Sequence, residues 1–485
     1  MANLNDDQID ALARRIVEHM AIGKNVPSSR QGSTNTADKK LLLMNEGIFP
    51  NIDSAVKAVA AAQRELSQLP LVIRDEIIAS IRKSMIENAR ILAEKAQSET
   101  GLGRVEDKVI KNRLVAEKTP GTEDLYPTAR SGDRGLSLFE PAPFGVIGAI
   151  TPLTNPTSTI ICNTIGMVAA GNGIVFNVHP NAKNVSIHNI TLINKAIIAV
   201  GGPANLVATV VEPSVESAQE LMKHPGVRLL VITGGEAVVH FAMHSGKRAI
   251  CAGPGNPPAV VDETADISKA GRDIVLGASF DNNVICTDEK TTFVVESVAL
   301  ELLRTMSDNG ALVLNSSQAA QMERLIFEKI PAPGAPGVIN KNLIGKNASL
   351  ILSKIGVNAD DRIRLIVMEV ARDHPLVLTE QMMPVMPVVK VKSADEGIDL
   401  AKWSERGFRH TASMHSRNIA NLSRMAREID CSIFIKNGPN YSGLGYGGEG
   451  YCSFSIASPT GEGMTRPRSF SRERRCVLVD HFRIV

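Results

Sequence analysis

Disulfide and metal frameworks are missing from this 485-residue chain. Its six cysteines include no Cys-x-x-Cys pair and no Cys/His cluster at zinc spacing, which excludes a cysteine-stapled secreted domain and a structural zinc. That usage points to a reduced, cytoplasmic setting. No apolar run reaches the roughly 18 residues that span a bilayer, and the first residues lack the basic start and apolar core of a secretory signal, so neither a membrane nor export is expected. Charge of one sign is missing too. With 53 basic against 51 acidic residues and no polybasic stretch, neither nucleic acid nor anionic lipid is expected as a partner. Apolar residues, in contrast, make up 44% of the chain, enough at this length for about two or three packed units.

The first 23 residues differ from the rest. Ile9, Leu12, Ala13, Ile16, Val17 and Met20 recur at helical spacing on one face, and Asn5 with Gln8 three residues later forms a capping box. Residues 24–40 follow as a Ser/Gly/Asn-rich stretch with little to bury, which reads as a flexible linker. A short amphipathic helix on a tether suits docking to a partner, and the alternative is a helix folded back on its own domain.

From Ile52 to about Glu117 the pattern is helical, with Ile77, Ile78, Ile81, Met85, Ile91 and Leu92 supplying a core-facing stripe. The pattern then changes. Gly173-Ile174-Val175-Phe176-Asn177-Val178, Leu206-Val207-Ala208-Thr209-Val210-Val211 and Arg228-Leu229-Leu230-Val231-Ile232-Thr233 are short continuous apolar runs separated by helical stretches, as strands buried on both faces require. This alternation predicts an α/β fold with a doubly wound parallel sheet, whose ligands sit at the carboxyl ends of its strands.

Three segments carry chemistry, two of them at such strand ends. In Ser279-Phe280-Asp281-Asn282-Asn283-Val284-Ile285-Cys286-Thr287, a polar turn ends on a thiol, and Cys286 is the candidate nucleophile. Attack on a carbonyl by a thiolate calls for partial exposure and an electropositive setting, whereas Cys162, Cys251 and Cys431 keep apolar or small company. Thr233-Gly234-Gly235-Glu236 follows a strand and opens a helix, so it is either a tight turn or a backbone cradle for a pyrophosphate. In Thr151-Pro152-Leu153-Thr154-Asn155-Pro156 an amide side chain is held between two prolines. Asn155 is either an ordinary turn asparagine or a fixed donor to an oxyanion.

Taken in order, these segments, the Gly/Pro-rich stretch Ala252-Gly253-Pro254-Gly255-Asn256-Pro257-Pro258 and Thr379-Glu380-Gln381-Met382-Met383-Pro384 resemble the aldehyde dehydrogenase superfamily from about residue 40 to the end. More narrowly, residues 279–290, 410–416 and 475–480 are similar to the CoA-acylating aldehyde dehydrogenases of bacterial ethanolamine and propanediol utilisation. The resemblance implies a Rossmann-type dinucleotide domain over 41–252, a catalytic domain over 253–435 containing Cys286, and a return to the first domain over 436–485. It also implies a small β arm for oligomerisation, to which 131–143 and the apolar stretch 476–485 contribute, and hence a homodimer or homotetramer. The resemblance makes Cys286 the nucleophile, with its backbone N–H and Asn155 forming the oxyanion hole. Thr151, Pro152, Leu153, Thr154, Thr233, Gly234, Gly235, Gly253, Glu380 and Met382 are expected to contact NAD. His179 stands where many relatives carry a lysine that grips the adenosine ribose. The N-terminal helix resembles peptides that bind the shell proteins of bacterial microcompartments, which places the chain inside such a compartment in the cytoplasm.

One departure bears on the reaction. Hydrolytic members carry a general-base glutamate ahead of two glycines, and here that position reads Ala252-Gly253-Pro254-Gly255 with no carboxylate. Water, with a pKa of about 15.7, needs a base to attack a thioester at neutral pH. A thiol with a pKa of about 8.5 needs far less help. The expected function is therefore oxidation of a short-chain aldehyde, acetaldehyde or propionaldehyde, to its acyl-CoA, with CoA as the acceptor. A non-acylating dehydrogenase and a non-catalytic cargo or scaffold protein are the alternatives. His410 and His415 either move protons or are hydrogen-bonded structural residues.

Overall fold

The computed structural model describes residues 46–485, so the expected helix over 1–23 and linker over 24–40 lie outside the described residues. Four helices, Ile52–Leu66, Leu71–Glu87, Ala89–Thr100 and Val105–Lys118, occupy the stretch with helical periodicity. Asn51 starts the first by accepting the Ser54 N–H at 2.9 Å, and Gly101, with φ of 67°, stops the third in the left-handed conformation. The second helix buries Ile77, Ile78, Ile81 and Met85. The fourth is unusual, because it buries Lys108, Lys111 and Asn112 alongside Leu114 and Val115.

A six-stranded parallel sheet runs in the order Ile48–Phe49, Val207–Val210, Gly173–Asn177, Val146–Ile150, Leu229–Thr233 and Ala249–Ala252. Successive residues of each strand enter cores on opposite faces: Ile147, Ile174, Phe176 and Val231 pack into one, and Val146, Val175, Leu230 and Ile232 into the other. That two-sided burial explains why the strands read as unbroken apolar runs rather than as alternation. The chain leaves Val146–Ile150 toward one edge through Gly173–Asn177 and Val207–Val210, then crosses back to place Leu229–Thr233 on the other side. The switch point therefore lies between two adjacent strands that pair Ile150 with Ile232. Their carboxyl ends open into the crevice where such sheets bind ligands.

A second parallel sheet of seven strands, in the order Ala311–Val313, Leu365–Glu369, Val385–Val391, Thr291–Val295, Pro258–Val261, Thr411–His415 and Ile433–Lys436, carries the residues around Cys286. Beyond it, Phe454, Ile456, Ala457 and Phe470 return to the first core. An antiparallel arm joins Thr128–Gly132, Gly135–Pro143 and Ser471–Val479. The terminal strand expected over 476–485 is corrected: it spans Ser471–Val479. Val479 pairs with Gly135, the first residue of its antiparallel neighbour, and Asp480 and Phe482 turn the backbone to positive φ.

Candidate active site

The turn that carries the thiol follows helix Ile267–Ala278 and runs through three consecutive non-glycine residues in the left-handed region: Asp281, Asn282 and Asn283, with φ of 45°, 57° and 65°. Each such residue costs on the order of 1 kcal/mol, less for Asp and Asn, whose short polar side chains bond locally. Long-range contacts hold the turn in place. The Asp281 carboxylate accepts from the Arg104 N–H at 2.7 Å, from Lys108 Nζ at 2.9 Å and from Lys111 Nζ, and the Asp281 N–H donates to Asp107 at 2.9 Å. Asn282 donates to the Gly345 carbonyl at 2.9 Å and to Asn347 Oδ1 at 2.8 Å. Lys290 Nζ closes the far side on the Asn283 and Ile285 carbonyls, at 2.8 and 3.1 Å. Within 281–290 Cys286 alone retains partial exposure.

Cys286 opens into a cavity of about 200 Å³ at the switch point of the first sheet. From the end of Val146–Ile150 come Pro152, Leu153, Thr154 and Asn155, from the end of Leu229–Thr233 come Thr233, Gly234 and Gly235, and from other segments Gly253, Glu380 and Met382. Two residues expected at the site stand away from this lining. Thr151 is buried behind it, with its N–H on the Asn177 carbonyl at 3.5 Å. His179 Nδ1 accepts the Asn181 N–H at 3.1 Å at the start of a short turn beyond strand Gly173–Asn177. Val284, Ile285, Leu444, Phe454 and Ile456, which the sequence did not single out, supply an apolar wall.

The electropositive setting expected for the thiol is corrected. Burial pushes the Cys286 thiol up to about 12, the Glu380 and Asp288 carboxylates raise it further, and the pull of Lys290 does not offset them. Lys290 already spends its donors on the turn's carbonyls. Glu380, itself raised by burial, is the one carboxylate among the lining residues. Of the other cysteines, Cys162, Cys251 and Cys452 are buried, and Cys431 and Cys476 are at least partly exposed.

Asn155 precedes helix Pro156–Ala169 and is almost fully buried. Its Oδ1 accepts from Lys111 Nζ at 2.6 Å, and its Nδ2 donates to Thr154 Oγ1 at 3.2 Å. Lys111 was missed in the sequence because the helical stretch from Ile52 to Glu117 was read through apolar residues of its earlier turns, between Ile77 and Leu92. The available signal was Lys108 and Lys111, three apart on one face of a helix that also buries Asn112. His410 lies beside the Cys286 backbone: a Cβ at Gly255 would sit 2.9 Å from both the His410 ring and the Cys286 carbonyl oxygen. Burial lowers His410 to about 3, so the ring is neutral at physiological pH. Its Nδ1 meets Thr411 Oγ1 at 2.8 Å, while Nε2 has no partner among the described residues. His415, lowered by burial to about 4, is held near Asp273 and Lys269 instead.

Comparison with known proteins gives the family. The model of the aldehyde dehydrogenase family matches residues 35–321 and 362–456. The acetaldehyde dehydrogenase (acetylating) EutE of Salmonella typhimurium is 51% identical over 440 residues, covering 90% of this chain and 94% of that one. The propanal dehydrogenase (CoA-propanoylating) of the same organism is 44% identical over 483 residues, covering 99% and 100%. Among solved structures, a Rhodopseudomonas palustris propionaldehyde dehydrogenase with bound CoA and an acylated cysteine superposes with a TM-score of 0.87 at 48% identity, over 90% of this chain and 98% of that one. A propionaldehyde dehydrogenase from the Clostridium phytofermentans fucose utilisation bacterial microcompartment does so with a TM-score of 0.87 at 45% identity, over 90% and 100%. Matched by the family model over most of its length and by such relatives nearly end to end, this chain belongs to the aldehyde dehydrogenase family.

Proposed function

We propose that this chain oxidises a short-chain aldehyde to its acyl-CoA, with Cys286 as nucleophile, NAD as oxidant and CoA as acyl acceptor. The observation that carries the reading is a single cavity at the sheet's switch point that gathers the partly exposed Cys286, the Asn155 amide and the Thr233-Gly234-Gly235 turn. The residues there suit a dinucleotide. A Cβ at Gly235 would meet nothing within 4 Å, so the backbone that opens helix Glu236–Met243 is bare toward an incoming pyrophosphate.

Cys286 gives up its thiol proton, the one proton released overall, and its Sγ adds to the carbonyl carbon of the aldehyde, whose oxygen takes the electron pair as an oxyanion. Asn155 Nδ2 and the Cys286 N–H are placed in this reading as its donors. Thr233, Gly234 and Gly235 at the switch point would hold NAD, which would supply the oxidant that takes the hydride from the former aldehyde carbon as the oxyanion's electron pair re-forms the carbonyl. The result is a thioester on Cys286. The CoA thiol then attacks it, a bond to the CoA sulfur forms, and the bond to Cys286 Sγ breaks, which restores the nucleophile. No carboxylate stands at 252–255 to draw a proton from water, so the acyl group passes to the thiol. The apolar wall of Val284, Ile285, Leu444, Phe454 and Ile456 suits acetaldehyde or propionaldehyde.

Reduction of NAD by the purified protein with propionaldehyde, with and without CoA and beside Cys286→Ala, tests the reading. Turnover that requires both CoA and Cys286 is expected; equal turnover without CoA would establish hydrolysis instead. Two further roles extend it. The exposed strand end Val477, Leu478 and Val479 is assigned to pairing with a second copy, and a monomeric mass by sedimentation would refute this. Residues 1–23 are assigned to docking on a microcompartment shell protein, in keeping with the microcompartment origin of the Clostridium phytofermentans relative. Deleting them is expected to leave turnover unchanged and to abolish encapsulation; a truncated enzyme still recovered within shells would sink the assignment.

A further inference from the structure

We propose that Lys111 is a positioning residue for this reaction: it fixes which end of the Asn155 amide faces the cavity. The proposal rests on the reading of Asn155 as an oxyanion donor. An ammonium group has three donors and no acceptor. Lys111 Nζ stands 2.6 Å from Asn155 Oδ1, on a side chain only 2% exposed. Turning the amide over would set Nδ2 against Nζ, two donors facing each other away from water, with loss of a charge-assisted bond. The other contact of the amide cannot make that choice. Thr154 Oγ1, at 3.2 Å, is a hydroxyl that can accept or donate, so it tolerates either orientation. An amide turned the wrong way would point its carbonyl oxygen at the developing negative charge, which is worse than having no donor there.

Lys111 is held in turn by the Asp281 carboxylate, which belongs to the turn that presents Cys286. One carboxylate thus sets the nucleophile's turn and, through Lys111, the orientation of its oxyanion donor, although the two come from different sheets. Lys108 provides the internal comparison. It lies one turn earlier on the same helix, is 3% exposed and bonds Asp281 at 2.9 Å, and no bond from it to Asn155 is present. Removing either lysine takes one ammonium from Asp281. Only the loss of Lys111 frees the amide.

The test compares Lys111→Met, Lys108→Met, Asn155→Ala and the Lys111→Met/Asn155→Ala double variant in the full chain with NAD, CoA and propionaldehyde. Alkylation of Cys286 by iodoacetamide is followed as the readout of an intact turn. Asn155→Ala is expected to lower kcat by about a hundredfold, as loss of one such donor does. Lys111→Met should lower kcat by about tenfold or more with KM for the aldehyde within about threefold, the pattern of an interaction made only in the transition state. Lys108→Met should lose several-fold less, with alkylation rates alike in the two lysine variants. If Lys111 acts through Asn155, the double variant is no slower than Asn155→Ala. Equal losses in the two lysine variants, or losses that multiply in the double variant, would reduce Lys111 to a structural residue and overturn the proposal. Full activity in Asn155→Ala would instead overturn the oxyanion assignment beneath it. Should Lys111→Met not fold, Lys111→Gln, which keeps a neutral donor for Asp281, must give the same ranking at smaller amplitude.

Discussion

The two walls of the cavity are built on opposite plans. On the switch-point wall, Thr233, Gly234 and Gly235 offer bare backbone at a strand end, and a Cβ added at Gly235 meets nothing within 4 Å. Behind the wall that carries Val284, Ile285 and Cys286, the buried residues Asp281, Asn282 and Asn283 hold three left-handed conformations inside a net of charges drawn from Lys108, Lys111 and Lys290. In the proposed reaction the first wall would receive a ligand that must leave after every turnover, and it would gain from surface without side chains to reorganise. The second would have to return the Cys286 sulfur to the same place each time. Its strain persists because the surroundings over-determine it.

Breaking the rigid wall should produce the largest effect. Asp281→Ala removes a carboxylate with no exposed surface and leaves Lys108 and Lys111 buried without their partner. A loss of about 3–5 kcal/mol in unfolding free energy is expected, with activity lost in parallel. The contribution also has a defined pH dependence. Burial opposes ionisation of Asp281, but Lys108 and Lys111 outweigh it and hold the carboxyl below its ordinary range. The stability it confers is therefore complete above about pH 4 and fades as pH falls toward the lowered folded-state value. Denaturation curves at pH 7 and pH 3 check both parts: the gap between wild type and variant should narrow in acid. A variant as stable as wild type at pH 7 would mean that the turn is not held by its charges.

A smaller, opposite effect is expected from the one carboxylate that faces the nucleophile. Cys286 is raised by burial first and by Glu380 next, so Glu380→Gln should lower the thiol and speed alkylation by iodoacetamide about three- to tenfold at pH 8.5. In the wild type without cofactor the rate should climb through pH 7–9 without a plateau, because the thiol titrates near 12. The same variant should bind NAD less well if Glu380 contacts the dinucleotide, which separates its two roles. Unchanged or slower alkylation would show that burial alone sets the thiol.

The contrast between the walls also explains what could be read from the sequence. Strand Leu229–Thr233 was legible because alternate residues enter two cores, leaving an unbroken apolar run. The Gly-Gly turn and Cys286 could be singled out in the sequence because one follows an apolar strand and the other ends a polar turn, and the fold brings both to one cavity. The charged support of the second wall was not. Lysine ordinarily faces water, and Lys111 meets Asp281 across 170 positions of chain, a distance that no local pattern spans. The electropositive setting expected for Cys286 failed for a related reason. Residues 288–290 carry charge in the sequence, but all three are buried in the fold, where the carboxylates outweigh Lys290 at the thiol.

The open wall sets the lower end of the scale. Gly235 has an ordinary φ of −68° and caps helix Glu236–Met243, so alanine fits its backbone and its space. Gly235→Ala should change unfolding free energy by less than about 0.5 kcal/mol. A methyl group there would nevertheless stand between the backbone N–H groups and a pyrophosphate, so KM for NAD should rise several-fold while kcat at saturation holds. Steady-state kinetics over a range of NAD concentrations, beside a thermal melt, measures both quantities on one preparation. Loss of stability with KM unchanged would make this turn a packing element like the wall it faces, and the dinucleotide would then have to be held elsewhere along the switch point.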